Sequence, residues 1–184
     1  MKLFTIGHSN HDIDKFIQLL EDNGISMVVD VRSAPYSRFN PHFNKEALER
    51  SLGDRWIEYS YAGKYLGGRP PDPGCYKSRK LPEEGTDYLH EVDYPEIMKR
   101  QWFIQGIERL LEIADEQTSA IMCSEADPAA CHRHHLIAKY IMEKYPVVEI
   151  YHILSDGKVF GARSLHTSIN KQSAEQLSLF PKAK

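Results

Sequence analysis

The chain has 184 residues, of which 41% are hydrophobic and 27% charged, and its formal net charge is −3. This length and composition suit one globular domain, and they exclude collagen-like, coiled-coil and wholly disordered chains. No apolar run approaches the roughly 20 residues of a membrane helix. The N-terminus does not resemble a signal peptide, and three cysteines are too few for a disulfide framework. We therefore expect a cytoplasmic protein with no membrane partner.

The first 31 residues predict a strand, a helix and a second strand. Residues 2–7 form a short apolar run, residues 13–20 carry apolar side chains at helical spacing, and residues 27–31 form a second apolar run. This order is typical of a βαβ unit with a right-handed crossover.

Strands and helices continue to alternate along the chain. The further predicted elements are a helix at 44–52, a strand at 56–61, helices at 96–114 and 127–145, and strands at 119–123, 147–154 and 158–160. This alternation predicts an α/β fold with three layers, in which helices cover both faces of a mostly parallel sheet of about five strands. We expect one domain over residues 1–170, with a long Gly/Pro-rich loop at 62–95, and a flexible tail over residues 171–184.

Polar side chains follow three of the predicted strands where each strand ends. The first strand continues into His8, Ser9 and Asn10, the second ends with Asp30, Arg32 and Ser33, and the fourth runs into Cys123, Ser124 and Glu125. Ligands of open α/β sheets bind outside the carboxyl ends of the strands. We therefore expect these side chains to surround one pocket.

The residue types at this edge suggest an enzyme site. The candidate catalytic residues, suited to proton transfer or nucleophilic attack, are His8, Asp30, Cys123 and Glu125. The candidates for binding an anionic substrate are Ser9, Asn10, Arg32, Ser33, Arg38, Tyr65, His132 and Arg133. Helix N-termini near residues 9–10 and 127–130 also favour an anion. An ion pair of Arg32 with Asp30 or Glu125 is the alternative to anion binding.

A basic stretch lies between residues 32 and 80. It holds ten Lys and Arg against five Asp and Glu, a local balance of +5, which indicates a negatively charged substrate or partner unless it is only a solvated surface. Aromatic residues interleave with these cations, at Tyr36, Phe39, Tyr61, Tyr65 and Tyr76. Such residues either stack nucleobases or anchor loops.

Cys123 and Cys131 have three interpretations. Cys123 is a nucleophile or redox thiol, or Cys123, Cys131 and His132 bind zinc together with His8 or His135, or both thiols only pack. The Cys-x7-Cys-His spacing lacks the short paired spacings of structural zinc sites. We therefore expect no metal or cofactor, with zinc at Cys123, Cys131 and His132 as the alternative. His134 is expected on a partly exposed helix face.

Several motifs together resemble one family. They are TIGHSN at 5–10, VDVRS at 29–33, SRFNP at 37–41, YLGG at 65–68, and Cys-x-Glu-x-x-Pro-x-x-Cys-His-Arg at 123–133. In combination these motifs are similar to the family called domain of unknown function 488, over roughly residues 2 to 155. The resemblance brings no settled activity. It implies that the quoted residues are the family's shared pocket candidates.

The C-terminal tail carries a second resemblance. Its sequence QLSLF at 176–180 is similar to the pentapeptide by which many bacterial repair and replication proteins bind the sliding clamp. The predicted contacts are Gln176, Leu177, Leu179 and Phe180, because a flexible segment with apolar side chains can fold into a groove on a partner. The alternative is that Leu179 and Phe180 pack back on the domain.

The sequence as a whole favours an enzyme, either a hydrolase or a transferase, that acts on a nucleotide, a nucleobase or a DNA component. The tail would place this enzyme in DNA repair by docking it on the clamp. One alternative is a non-catalytic module that binds a nucleotide, a nucleic acid or a metal. The other is a clamp-docked adaptor with a vestigial pocket.

Overall fold

The computed structural model of the protein describes residues 1–83 and 88–179. Its centre is a six-stranded sheet of β1 (Lys2–Gly7), β2 (Met27–Asp30), β3 (Glu58–Tyr61), β4 (Ser119–Cys123), β5 (Glu149–Ile153) and β6 (Val159–Gly161). The strand order is β3-β2-β4-β1-β5-β6. All neighbours are parallel except β5 and β6, which form an antiparallel hairpin.

The central strands β2 and β4 are buried at every position. A parallel strand that helices cover on both faces is expected to be apolar throughout rather than alternating. This explains why the sequence at 27–30 and 119–123 is a nearly continuous apolar run. The same pairing aligns the carboxyl ends of β1, β2 and β4, with Asp30 opposite Met122 and Gly7 opposite Cys123.

Helices lie on both faces of the sheet. They are α1 (Ile13–Glu21), α2 (Lys45–Gly53), α3 (Gly63–Leu66), α4 (Tyr88–Glu91), α5 (Tyr94–Ile97), α6 (Gln101–Glu116), α7 (Lys139–Lys144) and α8 (Ala162–Leu179). Phe16 of α1 and Leu48 of α2 belong to one buried apolar cluster, and Phe103 of α6 and Ile141 of α7 belong to another. The predicted three-layer α/β fold is confirmed.

The helix predicted over residues 127–145 is interrupted in the structure. A 3₁₀ turn spans Pro128–Ala130, and a π-helical segment at Arg133–Ala138 leads into α7. Cys131 and His132 lie between the turn and this segment. The interruption turns both side chains toward the end of β4, and π-helical segments are frequent at functional sites.

The last helix, α8, extends to Leu179 and so runs through part of the segment that the sequence predicts as a tail. The predicted clamp contacts of the 176–180 pentapeptide lie outside the residues whose side chains are described. Within residues 1–83 and 88–179, every helix is too short or too polar to cross a membrane.

Candidate functional site

A cleft with a volume of about 1180 Å³ lies at the carboxyl ends of β1, β2 and β4. Most of the predicted site residues line it, namely His8, Ser9, Asn10, Arg32, Ser33, Cys123, Glu125 and His132. The predicted meeting of three strand ends therefore occurs in the structure. Asp30, Arg38, Tyr65 and Arg133 do not line this cleft.

Asp30 lies behind Arg32 and holds it in place. Arg32 donates from Nε to Oδ1 at 2.9 Å and from Nη2 to Oδ2 at 2.6 Å, and the Tyr59 hydroxyl donates to the same Oδ2 at 2.8 Å. Asp30 is fully buried and Arg32 is 4% exposed. Of the two interpretations of Arg32, the ion pair with Asp30 is thus present. These contacts suit Asp30 to positioning Arg32, whereas the sequence predicts Asp30 as a catalytic residue for proton transfer.

Arg32 nevertheless keeps one donor for a ligand. A guanidinium group has five N–H donors. Four of them point at Asp30, at the Phe43 carbonyl oxygen 2.8 Å away, and at His8 Nε2 3.3 Å away. Among the residues that the structure describes, no acceptor is found for the fifth donor, one of the two Nη1 hydrogens. Arg32 lines the cleft, so this hydrogen can donate to a ligand there.

His8 is a neutral imidazole with a defined tautomer. Its Nδ1 donates to the Ser9 carbonyl oxygen at 2.9 Å, so Nε2 carries the lone pair that accepts from Arg32. Burial and the adjacent Arg32 charge lower the pKa of His8 to about 4. His8 is therefore a weak base at neutral pH. Its contacts suit it to orienting Arg32 better than to the predicted proton transfer.

Cys123, Cys131 and His132 form a compact group at the floor of the cleft, which we call the Cys–His cluster. His132 Nδ1 lies 3.6 Å from Cys123 Sγ and 3.8 Å from Cys131 Sγ. His132 Nε2 faces the Val31 carbonyl oxygen at 3.2 Å. All three residues are at the cleft surface although both thiols are largely buried.

The two thiols of the cluster differ in acidity. Burial raises the pKa of the Cys131 thiol, but hydrogen bonds from Cys123 and His132 outweigh it and hold this pKa well below its usual range. The hydrogen bond to Cys131, followed by burial, holds the pKa of Cys123 well above its usual range. Cys131 is thus the more acidic thiol of the pair, whereas the sequence predicts Cys123 as the candidate catalytic thiol.

Two glycines let the backbone approach the site closely. A Cβ atom on Gly68 would lie 2.7 Å from His132 Cγ, and one on Gly7 would lie 1.8 Å from the Glu125 carbonyl oxygen. Gly68 belongs to the YLGG motif at 65–68, but nothing in the sequence predicts that it packs on His132. A glycine in a motif outside regular structure was the available signal.

Three of the predicted anion-binding residues have other contacts. Arg133 is fully buried, and its guanidinium donates to the carbonyl oxygens of Glu125 and Ala126, so it shapes the loop after β4. Arg38 is exposed and lies over the Phe39 ring at 4.8 Å. Tyr65 lines a separate cavity of about 310 Å³ beside α6. None of the three lines the cleft.

The predicted helix N-termini already carry a carboxylate. Asp12 Oδ1 accepts from the Lys15 N–H at 2.7 Å at the start of α1. Asp127 Oδ1 accepts from the Ala129 N–H at 2.8 Å at the 3₁₀ turn. Because these caps add negative charge where an anion was expected, the helix ends do not form the predicted anion site.

Aromatic and cationic side chains surround the mouth of the cleft. Phe39 and Tyr36 line it with 78% and 58% of their surface exposed. Arg69 lies over the Tyr88 ring at 4.3 Å, and both residues line the same cleft. The sequence analysis identifies Tyr36 and Phe39 but not this pair. Arg69 and Tyr88 lie in the long Gly/Pro-rich loop, away from the ends of the predicted strands, so no strand position indicated that they reach the cleft.

The expectation of an exposed His134 is wrong. His134 is fully buried, and its Nδ1 lies 3.0 Å from Nε2 of His152, whose Nδ1 lies 2.7 Å from the Thr5 hydroxyl. Burial lowers the pKa of His134 to about 4 and that of His152 to about 3. We refer to His8, His134 and His152 as the buried histidines.

The family model described as domain of unknown function DUF488 matches residues 12–141. The chain belongs to this family. The match includes the motifs at 29–33, 37–41, 65–68 and 123–133, which contribute Arg32, Gly68 and the Cys–His cluster to the site. No curated protein and no solved structure shows a significant match to the chain.

Proposed function

We propose that this DUF488 protein is an enzyme, a hydrolase or transferase, that acts on a nucleotide, a nucleobase or a DNA component held in the cleft. One observation carries the proposal: a single cleft has the Cys–His cluster at its floor and exposed aromatic and arginine side chains at its mouth. Aromatic rings beside arginines are suited to stacking bases, which is worth about 1–3 kcal/mol per base.

The cleft also offers groups for a phosphate. Arg32 presents its remaining Nη1 hydrogen and is held rigidly by Asp30. Ser33 Oγ accepts from the Arg69 N–H at 2.9 Å, so its own hydroxyl hydrogen is available to donate to a ligand. A phosphate near Arg32 and Ser33 would leave the base at the aromatic mouth and the reacting bond near the cluster.

Chemistry in this arrangement falls to the Cys–His cluster and Glu125. Glu125 is exposed and lines the cleft two residues after Cys123, so its carboxylate can exchange a proton with a bound substrate or water. The cluster supplies the nucleophile or holds the group that does. Asp30 and His8 act indirectly, by positioning Arg32.

Ligand binding is the first test, with nucleoside monophosphates as probes and isothermal titration calorimetry as the readout. We expect at least one of AMP, GMP, CMP and UMP to bind, and Phe39→Ala to weaken its binding roughly tenfold or more, because a stacking contact is lost. Trp56→Ala is the matched control, since Trp56 is 93% exposed and lies outside the cleft. The proposal fails if no probe binds, or if both variants weaken binding equally.

Turnover is the second test and separates an enzyme from a binding module. The bound nucleotide is incubated with the protein, and products are followed by mass spectrometry. We expect Glu125→Gln to abolish product formation while binding persists. Binding of the nucleotide without any chemical change would instead support the non-catalytic module.

A further inference from the structure

The Cys–His cluster has the composition of a metal site. It brings two thiol sulfurs and one imidazole nitrogen together, and the three donor atoms lie within 4.8 Å of one another. The donors come from two places in the chain, the end of β4 and the break before the π-helical segment. Thiolate and imidazole are the ligands that Zn²⁺ prefers in proteins.

The distances match a tetrahedral ion. Zn–S bonds of about 2.3 Å and Zn–N bonds of about 2.0–2.1 Å place the sulfur and nitrogen of a tetrahedral site about 3.6 Å apart. The two Sγ–Nδ1 distances of the cluster are 3.6 and 3.8 Å. These two distances suit a single ion that binds His132 Nδ1 and both sulfurs.

The surrounding contacts orient the donors as metal ligands are oriented. His132 Nε2 donates to the Val31 carbonyl oxygen at 3.2 Å, so Nδ1 is the ring nitrogen that faces both sulfurs, and a bound metal ion would take the place of any proton there. A ligating histidine almost always donates its other N–H to a carbonyl or carboxylate in this way. The Arg133 backbone N–H also points at Cys131 Sγ, 3.5 Å away.

We propose that Cys123, Cys131 and His132 bind one zinc-like divalent cation and leave its fourth coordination position open to the cleft. Three protein ligands with an open position, including Cys₂His sets, are typical of catalytic rather than structural zinc. This explains why the sequence lacks the short paired cysteine spacings of a structural site. Metal binding stands independently, and only its use in hydrolysis, through an acidified bound water beside Glu125, rests on the proposed function.

The test uses the full-length protein, freed of metal with a chelator and then titrated with Zn²⁺ or Co²⁺. We expect one equivalent of zinc by elemental analysis, and a thiolate-to-cobalt charge-transfer band with Co²⁺. Cys131→Ser should weaken zinc binding by more than the roughly 10- to 100-fold that follows from losing a group that is hydrogen-bonded to a metal ligand. Cys75→Ser is the matched control, because Cys75 is equally buried but outside the cluster, and it should keep one equivalent.

Glu125→Gln tests the open position, because Glu125 is not among the three ligands. This variant should also keep one equivalent of zinc, and loss of the metal would overturn the open site by making Glu125 a ligand. Alkylation of the unmodified chain avoids any dependence on variants that fail to fold. Zinc should protect Cys123 and Cys131 from iodoacetamide, and the chelator should remove that protection.

Two further outcomes would overturn the proposal. One is a wild-type protein that binds neither Zn²⁺ nor Co²⁺ at the cluster. The other is a Cys123–Cys131 disulfide in the purified protein that persists when zinc is present. Because nucleotide binding is measured separately, a failure of the metal site and a failure of the proposed function are distinguishable.

Discussion

The buried ion pair of Asp30 and Arg32 gives the sharpest prediction about stability. Asp30→Ala removes the acceptor of the two Arg32 bonds at 2.9 and 2.6 Å and of the Tyr59 hydroxyl bond. The substitution leaves the Arg32 guanidinium, which is only 4% exposed, without its counter-charge. Breaking a buried pair from one side costs about 3–5 kcal/mol, which is a large part of the about 5–15 kcal/mol that stabilises a typical domain.

Urea unfolding followed by circular dichroism measures this loss. With a slope of about 2 kcal/mol per molar urea, a loss of about 4 kcal/mol lowers the unfolding midpoint by about 2 M. Removing both charges, with Asp30→Ala and Arg32→Met together, should cost less than the single change, because no buried charge remains unpaired. Glu112→Ala is the control, since it breaks an exposed pair of similar length, and it should leave the midpoint unchanged. A midpoint for Asp30→Ala within error of this control would show that the buried ion pair does not stabilise the fold.

Three further predictions concern acid stability, the glycine at the site, and the tail. The buried histidines are neutral in the fold, with pKa values of about 4, 4 and 3, so their contribution to stability is complete above pH 6.5 and is lost as the pH falls toward 4. Each buried histidine should lower the free energy of unfolding by about 2 kcal/mol at pH 5 relative to pH 7. Equal urea midpoints at pH 7 and pH 5 would contradict this. Gly68→Ala should cost about 1–3 kcal/mol by overpacking against His132, whereas Gly53→Ala, with no atom within 4 Å of its Cβ position, should not lower the melting temperature. The resemblance at 176–180 predicts that the chain binds a bacterial sliding clamp in surface plasmon resonance and that deleting residues 175–184 abolishes this binding. No binding by the full chain, or unchanged affinity after the deletion, would remove the basis for clamp docking.

Much of the fold follows from the sequence because the sheet is parallel and covered. Parallel strands with helices on both faces must be apolar throughout, so β1, β2 and β4 are visible as short apolar runs. Because ligands of such sheets bind outside the carboxyl ends of the strands, the sequence also predicts that His8, Arg32 and Cys123 line one cleft. They do so in the structure.

The roles of individual side chains were harder to predict, because they depend on which partner each group meets. Asp30 and Arg133 are polar residues near the site, and both are fully buried by contacts that residue type does not encode. His134 is one of three histidines close together in the chain, and only packing against His152 explains why it is interior. The contact between Arg69 and Tyr88 depends on the path of a long loop. Local sequence patterns do not predict such a path, because most of the loop has no regular secondary structure.

A crystal structure of the zinc-loaded protein with a bound nucleoside monophosphate would show whether metal and nucleotide share the cleft, with the metal located by anomalous scattering at the zinc edge. We expect zinc on Cys123, Cys131 and His132, the phosphate at Arg32 and Ser33, and the base against the aromatic side chains at the mouth of the cleft. A nucleotide bound outside the cleft, with zinc absent from the Cys–His cluster, would contradict it.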